Sequence, residues 1–158
     1  MKATADLCDD FNEEVMVLAP IFKDFGGKDT FFGDITTLKV FEDNSLVRAA
    51  LEKPGNGRVL VVDGGGSLRC ALVGDNLAVL GQENGWSGIV VFGCIRDSAQ
   101  ISEIQLGVKA LGVNPRKSVK KGEGQIDVAV RFAEVLIEPG QFLYADVDGV
   151  VIAQKALY

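Results

Sequence analysis

The sequence of 158 residues contains no histidine, and this absence narrows its chemistry sharply. Without histidine the protein has neither a Ser-His-Asp nor a Cys-His catalytic arrangement, and no metal site with imidazole ligands. General acid or base catalysis must then be carried out by carboxylates, water, lysine or tyrosine. A bound metal ion would need oxygen ligands, which favours Mg²⁺ or Mn²⁺.

Cysteine is scarce as well. The three cysteines, Cys8, Cys70 and Cys94, are odd in number and lack C-x-x-C spacing. We therefore expect small buried residues rather than disulfides or zinc ligands.

Long hydrophobic runs and excess positive charge are also lacking. The longest uncharged apolar stretch, around Gly88 to Ile95, is far too short to span a membrane, and residues 1–5 lack the apolar segment of a signal peptide. The formal net charge of −6 argues against direct binding of nucleic acid, because such binding depends on lysine and arginine neutralising phosphates. We expect a soluble, cytoplasmic protein without membrane or direct nucleic-acid partners.

One basic cluster stands out against this acidic background. It comprises Arg116, Lys117, Lys120 and Lys121, between Asn114-Pro115 and the glycines at positions 122 and 124. Because turn-forming residues flank it on both sides, we interpret the cluster as a solvated loop.

The hydrophobic content of 47% is enough for one domain with a substantial core, and no linker or internal repeat divides residues 1–158. Apolar runs typical of strands alternate with helical patterns as far as Leu111, and the last third is mostly β. The sequence thus predicts a single α/β or β-β-α layered domain with a mixed sheet.

The stretch from Gly74 to Asp97 organises this pattern. Asp75 and Asn76 are good N-cap residues for a helix that should end near Asn84-Gly85. The apolar run 89–92 then reads as a strand covered on both faces. Arg96 and Asp97 follow at its carboxyl end, where open α/β sheets commonly bind ligands.

These residue types suit an anionic substrate that chelates a metal. An arginine can clamp a carboxylate with two hydrogen bonds, an aspartate can hold a hard cation, and the N-terminus of a helix attracts anions. The alternative is that Arg96 and Asp97 form a structural ion pair and that Asp75 is only a cap. The Gly64-Gly65-Gly66 run matches no phosphate-binding motif and is interpreted as a tight turn.

A family resemblance gives these residues a more specific meaning. The spacing from Asp75 to Arg96-Asp97, the segment Val61–Ser67, Asn84-Gly85-Trp86 and Tyr144-Ala145-Asp146 together resemble the regulator of ribonuclease E activity A family. That family also includes class II 4-hydroxy-4-methyl-2-oxoglutarate aldolases. The resemblance covers essentially the whole chain.

The resemblance implies a swivelling β/β/α fold, a homotrimer and a divalent metal, Mg²⁺ or Mn²⁺. It implies that Asp75, Arg96 and Asp97 are catalytic and that Asp97 holds the metal. The substrate-binding residues that it implies are Gly74, Asp75, Asn76, Leu77 and Arg96. The implied reaction cleaves a 4-hydroxy-2-oxo acid to pyruvate through an enolate, and the same site would decarboxylate oxaloacetate.

Two alternatives remain open at this stage. Members of the family also inhibit ribonuclease E without catalysis, and an acidic surface suits an arginine-rich partner. A Schiff-base aldolase using Lys109 or Lys155 is a further possibility. One departure from the aldolase pattern is Gln100, which stands where the aldolase branch often carries an acidic residue.

Overall fold

Residues 15–153 carry a ten-stranded mixed sheet and a separate two-stranded hairpin, and four α-helices complete the fold. The computed structural model describes all residues from Met1 to Tyr158. The strands are β1 (Val15–Val17), β2 (Lys23–Asp24), β3 (Phe31–Lys39), β4 (Val59–Asp63), β5 (Ala71–Val73), β6 (Gly88–Ile95), β7 (Gly107–Val113), β8 (Gln125–Ile126), β9 (Val130–Phe132), β10 (Val135–Ile137), β11 (Phe142–Asp146) and β12 (Gly149–Ala153). The α-helices are α1 (Thr4–Phe11), α2 (Ser45–Leu51), α3 (Asp75–Glu83) and α4 (Ser98–Ile101), and a short 3-10 turn covers Asn12–Glu14.

The strand order in the large sheet is β1-β12-β11-β3-β4-β6-β7-β2, with β5 beside β6 and β8 beside β3. Strands β3, β4, β6 and β7 are parallel to one another, and β5 is parallel to β6. The flanking strands pair in antiparallel fashion. The sheet is therefore mixed, as the sequence predicted.

The central strands are covered on both faces, which explains their continuous apolar sequence. In β4, Leu60 and Val62 pack in the cluster beneath the helices, together with Leu51 of α2. Their neighbours Val59 and Val61 point the other way, into a cluster shared with the β9–β10 hairpin and the antiparallel strands. This alternation produces three layers, which are the helices, the parallel strands, and a second β layer formed by the β9–β10 hairpin and the antiparallel strands.

Most elements lie where the sequence predicted them. Helix α3 ends at Glu83, followed by Asn84 and by Gly85 in the left-handed conformation (φ +79°), and the predicted strand 89–92 forms the centre of β6. Strands β2 and β5 were not predicted, because runs of two or three residues carry no readable periodicity.

Two facing glycines on the parallel strands leave room for the aromatic ring of Phe31, which packs in the second β layer. Gly88 of β6 and Gly107 of β7 are register partners, and the Phe31 ring lies over both. A Cβ added at Gly107 would fall 2.0 Å from Cδ1 of Phe31, and one at Gly88 would fall 2.3 Å from Cδ2. No side chain fits at either position while Phe31 keeps its buried place.

We expect Gly107→Ala to destabilise the protein by about 2 kcal/mol or more, because the added methyl group must displace a fully packed ring. Urea unfolding measures this loss. The matched control is Gly112→Ala on the same strand, where an added Cβ meets nothing within 4 Å. Equal stability of the two variants would show that Phe31 does not constrain Gly107.

Candidate active site

Two parallel strands end side by side and bring the predicted site together. Strand β5 leads into Gly74-Asp75, and its partner β6 leads into Arg96-Asp97. The Arg96 N–H donates to the carbonyl of Val73 (2.9 Å), which extends the pairing by one residue beyond β6. The resulting cleft contains all six residues that the sequence singled out, Gly74, Asp75, Asn76, Leu77, Arg96 and Asp97.

Asp97 takes the left-handed backbone conformation, with φ 56° and ψ 42°. Aspartate and asparagine tolerate this region better than other non-glycine residues. The bend ends β6, starts α4 and turns the carboxylate back across the ends of the strands. Its Oδ2 atom accepts a hydrogen bond from the Asp75 N–H (3.2 Å), so the first N–H of α3 is already partnered.

The expected N-cap position was wrong by one residue. The cap is Gly74, in an extended conformation, and the helix begins at Asp75 itself. A Cβ at Gly74 would lie 2.8 Å from Oδ2 of Asp97, so only glycine allows this close approach without a shift of the carboxylate. The Asp75 carboxylate lies beside the site, where its Oδ1 accepts the N–H of Asn76 (2.8 Å).

Arg96 is half-buried in the cleft and forms no ion pair with Asp97. The four salt bridges of the structure join Lys2 to Asp10, Arg48 to Glu52, Arg69 to Glu42 and Lys109 to Asp24. The interpretation of Arg96 and Asp97 as a structural ion pair is therefore wrong. The Arg96 guanidinium and Oδ1 of Asp97 have no hydrogen-bond partner within the protein, whereas Oδ2 accepts the Asp75 N–H.

The opposite wall of the cleft was not foreseen from the sequence. Lys117 and Lys120, from the basic cluster that we interpreted as a solvated loop, line the cleft together with Arg48 of α2. Both lysines are exposed, so the loop is solvated as expected, but it also faces the site. The charge cluster was visible in the sequence, whereas nothing in its spacing linked it to Arg96.

Asn44 and Ser118 fasten this wall to the sheet. The Asn44 side chain donates to the carbonyl of Leu72 in β5 (3.1 Å). The hydroxyl of Ser118 donates to Oδ1 of Asn44 (2.8 Å) and accepts the Asn44 N–H (3.2 Å). These bonds join α2, the basic loop and β5 at the edge of the cleft.

Asp43 is the buried anchor of the same wall, with 2% of its surface exposed. Its carboxylate accepts the N–H and the hydroxyl of Ser45 and the N–H groups of Lys121 and Glu123. Burial alone would raise the pKa of Asp43, but these hydrogen bonds outweigh burial and hold the pKa well below its ordinary value. The ionised carboxylate thus fixes the far end of the loop to the start of α2.

Other sequence candidates lie outside the cleft. The N–H groups of Gly64 and Gly66 both donate to the carbonyl of Phe92 (3.1 Å each), which is the tight turn that we expected. Lys109 is buried and paired with Asp24 (2.8 Å), and Lys155 is exposed; neither lines the cleft, so neither can act as a Schiff-base lysine in it. Gln100 is exposed on α4 and also lies outside the lining.

The cysteines behave largely as expected. All three are free; Cys70 and Cys94 are buried, and Cys8 is half-buried. Burial raises the pKa of the Cys94 thiol and, as the main cause, that of Cys70.

The donor atoms of the cleft fit a lightly coordinated hard cation. No group of three or more histidine, cysteine, aspartate or glutamate side chains could enclose a metal ion. Asp75 and Asp97 nevertheless both line a cleft that contains only two hydrophobic residues. This donor set suits Mg²⁺ or Mn²⁺, which keep several water ligands, and does not suit zinc.

Comparison with known proteins identifies the family. The model of the RraA-like family, described as Aldolase/RraA, matches residues 4–152. The chain therefore belongs to the RraA-like family, and the resemblance noted in the sequence is confirmed.

The helices of the structure are too short or too polar to span a membrane.

Curated relatives and solved structures agree on the family and differ in their names. A protein of Alkalilimnicola ehrlichii, named "Putative 4-hydroxy-4-methyl-2-oxoglutarate aldolase", is 64% identical over 98% of this chain and 96% of its own length. One of Aromatoleum aromaticum with the same name is 60% identical over 98% and 97%. The RNA-processing inhibitor RraA of Thermus thermophilis has a TM-score of 0.96 and 47% identity, covering 100% of this chain and 96% of that one. A Geobacillus kaustophilus structure titled as an S-adenosylmethionine: 2-dimethylmenaquinone methyltransferase has a TM-score of 0.97 and 52% identity, covering 99% and 97%.

The anchoring of the basic loop leads to a prediction about stability. We expect Asp43→Asn to lower the free energy of unfolding by about 3 kcal/mol at pH 7, because four hydrogen-bond donors lose a charged acceptor. As pH falls below about 4, the unfolded wild type gains a proton that the folded Asp43 still excludes. The wild type then loses this contribution, so the difference between the two proteins shrinks. Urea unfolding at pH 7 and at pH 3 measures it.

The control for Asp43→Asn is Asp9→Asn on exposed α1, which makes the same change of charge without buried partners. A pH-independent difference between wild type and Asp43→Asn would show that the ionised carboxylate is not what fixes the loop.

Proposed function

We propose that the protein is a divalent-metal-dependent class II aldolase that cleaves 4-hydroxy-4-methyl-2-oxoglutarate, or a related 4-hydroxy-2-oxo acid, to pyruvate. The observation that carries the proposal is the junction of Arg96, Asp97 and the α3 N-terminus in one cleft. The names of the most similar curated relatives support the same activity. The same chemistry would decarboxylate oxaloacetate, since both reactions generate pyruvate enolate.

The polarity of the cleft also bears on which of the activities in the relatives' names suits this protein. Ten of its twelve lining residues are not hydrophobic, and four of them are cationic, namely Arg48, Arg96, Lys117 and Lys120. Such a lining suits a small, highly charged acid. A site for S-adenosylmethionine would need an apolar surface for adenine, so the methyltransferase name gains no support from this cleft.

Each predicted site residue has a role in the proposed reaction. Arg96 binds the 2-oxo-acid end of the substrate, where its fork of donors can hold the carboxylate in two hydrogen bonds. The Leu77 N–H at the start of α3 would donate to a negatively charged substrate oxygen, and the Asn76 N–H would do so once it exchanges its present acceptor, the Asp75 carboxylate, for the substrate. Gly74 and Asp75 shape the approach to these donors. A water positioned by Asp75 would take the proton of the 4-hydroxyl group as the C3–C4 bond breaks, and would then return a proton to C3 of the enolate.

Asp97 would hold the cation, Mg²⁺ or Mn²⁺, with water completing its shell. When bound, the cation supplies positive charge next to the 2-oxo group and its carboxylate. Asp97 is well placed for this role because Oδ2 is fixed by the Asp75 N–H, whereas Oδ1 has no hydrogen-bond partner within the protein. Gln100 lies outside the cleft lining, so its lack of charge does not alter the immediate site.

The decisive measurement is pyruvate release from 4-hydroxy-4-methyl-2-oxoglutarate and from oxaloacetate, with Mg²⁺ or Mn²⁺ and with EDTA. We expect Asp97→Asn and Arg96→Gln to lower turnover by about a hundredfold or more, the loss expected when charge at the reacting centre is removed. Asparagine is the right replacement at position 97, because it tolerates the left-handed backbone that alanine would strain. Folding is checked by thermal unfolding.

Asp127→Asn is the matched control, because Asp127 is exposed, has a similar φ of 55° and lies outside the cleft. It should retain wild-type turnover. Metal-dependent pyruvate release that survives in Asp97→Asn would overturn the assignment. No turnover by the wild type on either substrate would overturn the aldolase and leave the second candidate.

The second candidate is a non-catalytic inhibitor of ribonuclease E, favoured by the 47% identical structure that is named an RNA-processing inhibitor. We also propose that the protein is a homotrimer, which the resemblance implies. Several large apolar residues are at least half exposed and would suit burial against another copy; they include Phe41, Leu68, Val113 and Val119. A trimer would carry three times the charge of −6, a strong field for a basic partner.

For this candidate we expect binding to an arginine-rich segment of ribonuclease E that weakens steeply as salt rises and is unchanged in Asp97→Asn. Sedimentation analysis of the mixture and of the free protein measures both the binding and the mass of the assembly. No complex at physiological salt would count against the regulatory role, and a free mass of 16.9 kDa would count against the trimer.

A further inference from the structure

One wall of the cleft carries more positive charge than the pyruvate end of a substrate needs. Arg96 serves that end, whereas Arg48, Lys117 and Lys120 line the other side without an assigned task. Resting on the function proposed above, we infer that Arg48 is the residue that selects a substrate with a second carboxylate. It would bind the carboxylate that departs with the second product of the cleavage.

The start of α2 directs Arg48 toward the cleft. The Arg48 N–H donates to the carbonyl of Asn44 (3.2 Å), one helical turn earlier, so the two side chains share a face of the helix. Asn44 on that face bonds to the carbonyl of Leu72 in β5 and to Ser118 of the basic loop. Arg48 accordingly lines the same cleft as Gly74, which follows β5.

The salt bridge between Arg48 and Glu52 is weak enough for a substrate carboxylate to replace Glu52. Its Nη1 lies 3.7 Å from Oε1 of Glu52, and the two side chains are 48% and 55% exposed. An exposed pair of this kind contributes little to stability. A substrate carboxylate can replace Glu52 and gain two parallel hydrogen bonds from the guanidinium, which neither neighbouring lysine can supply as a rigid fork.

The balance of charge in the cleft favours a dianion over a monoanion. Four cationic side chains face two carboxylates, those of Asp75 and Asp97. Among these side chains the positive charges exceed the negative charges by two, so a ligand with one carboxylate leaves one positive charge uncompensated. A 2-oxo acid with a second carboxylate compensates both charges, so this wall favours dicarboxylic substrates.

Titration calorimetry with two 2-oxo acids of equal chain length tests this inference, because it measures binding affinity and does not depend on turnover. In the presence of Mg²⁺, we expect the wild type to bind 2-oxoglutarate at least tenfold more tightly than 2-oxopentanoate, which has a methyl group in place of the second carboxylate. Arg48→Gln should remove most of this preference, and Arg48→Lys should retain part of it. Equal affinities in the wild type, or an undiminished preference in Arg48→Gln, would overturn the inference.

Arg116→Gln is the matched control, because it removes one positive charge from the neighbouring loop at an exposed residue outside the cleft lining. It should keep the preference for 2-oxoglutarate. If Arg116→Gln lost the preference as far as Arg48→Gln does, the effect would be one of net charge, and the assignment to Arg48 would fail.

A kinetic arm separates this inference from the proposed function. The ratio of kcat/KM for 4-hydroxy-4-methyl-2-oxoglutarate to that for 4-hydroxy-2-oxopentanoate should fall about tenfold in Arg48→Gln. Turnover with a ratio unaffected by Arg48→Gln would overturn the inference and leave the aldolase intact. Absence of turnover with an Arg48-dependent binding preference would overturn the aldolase and leave the carboxylate subsite intact.

Discussion

The parallel pairing of β5 with β6 is the constraint on which the site depends. Strand β5 has only three residues, yet its register, with Ala71 opposite Cys94 and Val73 opposite Ile95, brings two chain segments to the same edge of the sheet. A shift of one residue would turn every side chain of β5 to the opposite face and separate Gly74 from Asp97. The irregularity in this register, between Ala71 and Val73, lets a short strand meet the end of β6 in the required position.

At that edge the geometry is set by the backbone more than by side chains. Gly74 leaves room for the Asp97 carboxylate, and the left-handed turn at Asp97 aims the carboxylate at the first N–H of α3. A non-glycine residue held in this region of φ and ψ is commonly associated with a functional site, because the surrounding structure must maintain it. Here it is maintained by the hydrogen bond from Asp75 and by α4, whose Ile101 N–H donates to the carbonyl of Asp97 (2.9 Å).

The sequence predicted this half of the site because its signals are local. A buried strand, a helix start and two candidate site residues at the strand's end can all be read within the segment 74–97, and the family resemblance supplied their expected roles. The basic wall could not be predicted in the same way. Its position depends on Asp43, which accepts N–H groups from Lys121 and Glu123, residues almost eighty positions away. An aspartate followed by asparagine and serine reads as an ordinary helix start, and nothing local reveals that its second carboxylate oxygen ties down a distant loop.

The two walls of the cleft also differ in how strongly the surrounding fold fixes the positions of their side chains. The Arg96-Asp97 wall lies at the ends of buried strands, where a change of residue disturbs the backbone that positions the reacting groups. The Arg48 wall consists of long exposed side chains on a short helix and a loop, held from behind by Asp43 and Asn44. Substitution there changes charge and reach while leaving the buried anchors in place. Under the proposed function, the part of the cleft that would generate the enolate is therefore separable from the part that would recognise the remainder of the substrate, so related chains could keep the first and alter the second without rebuilding the fold.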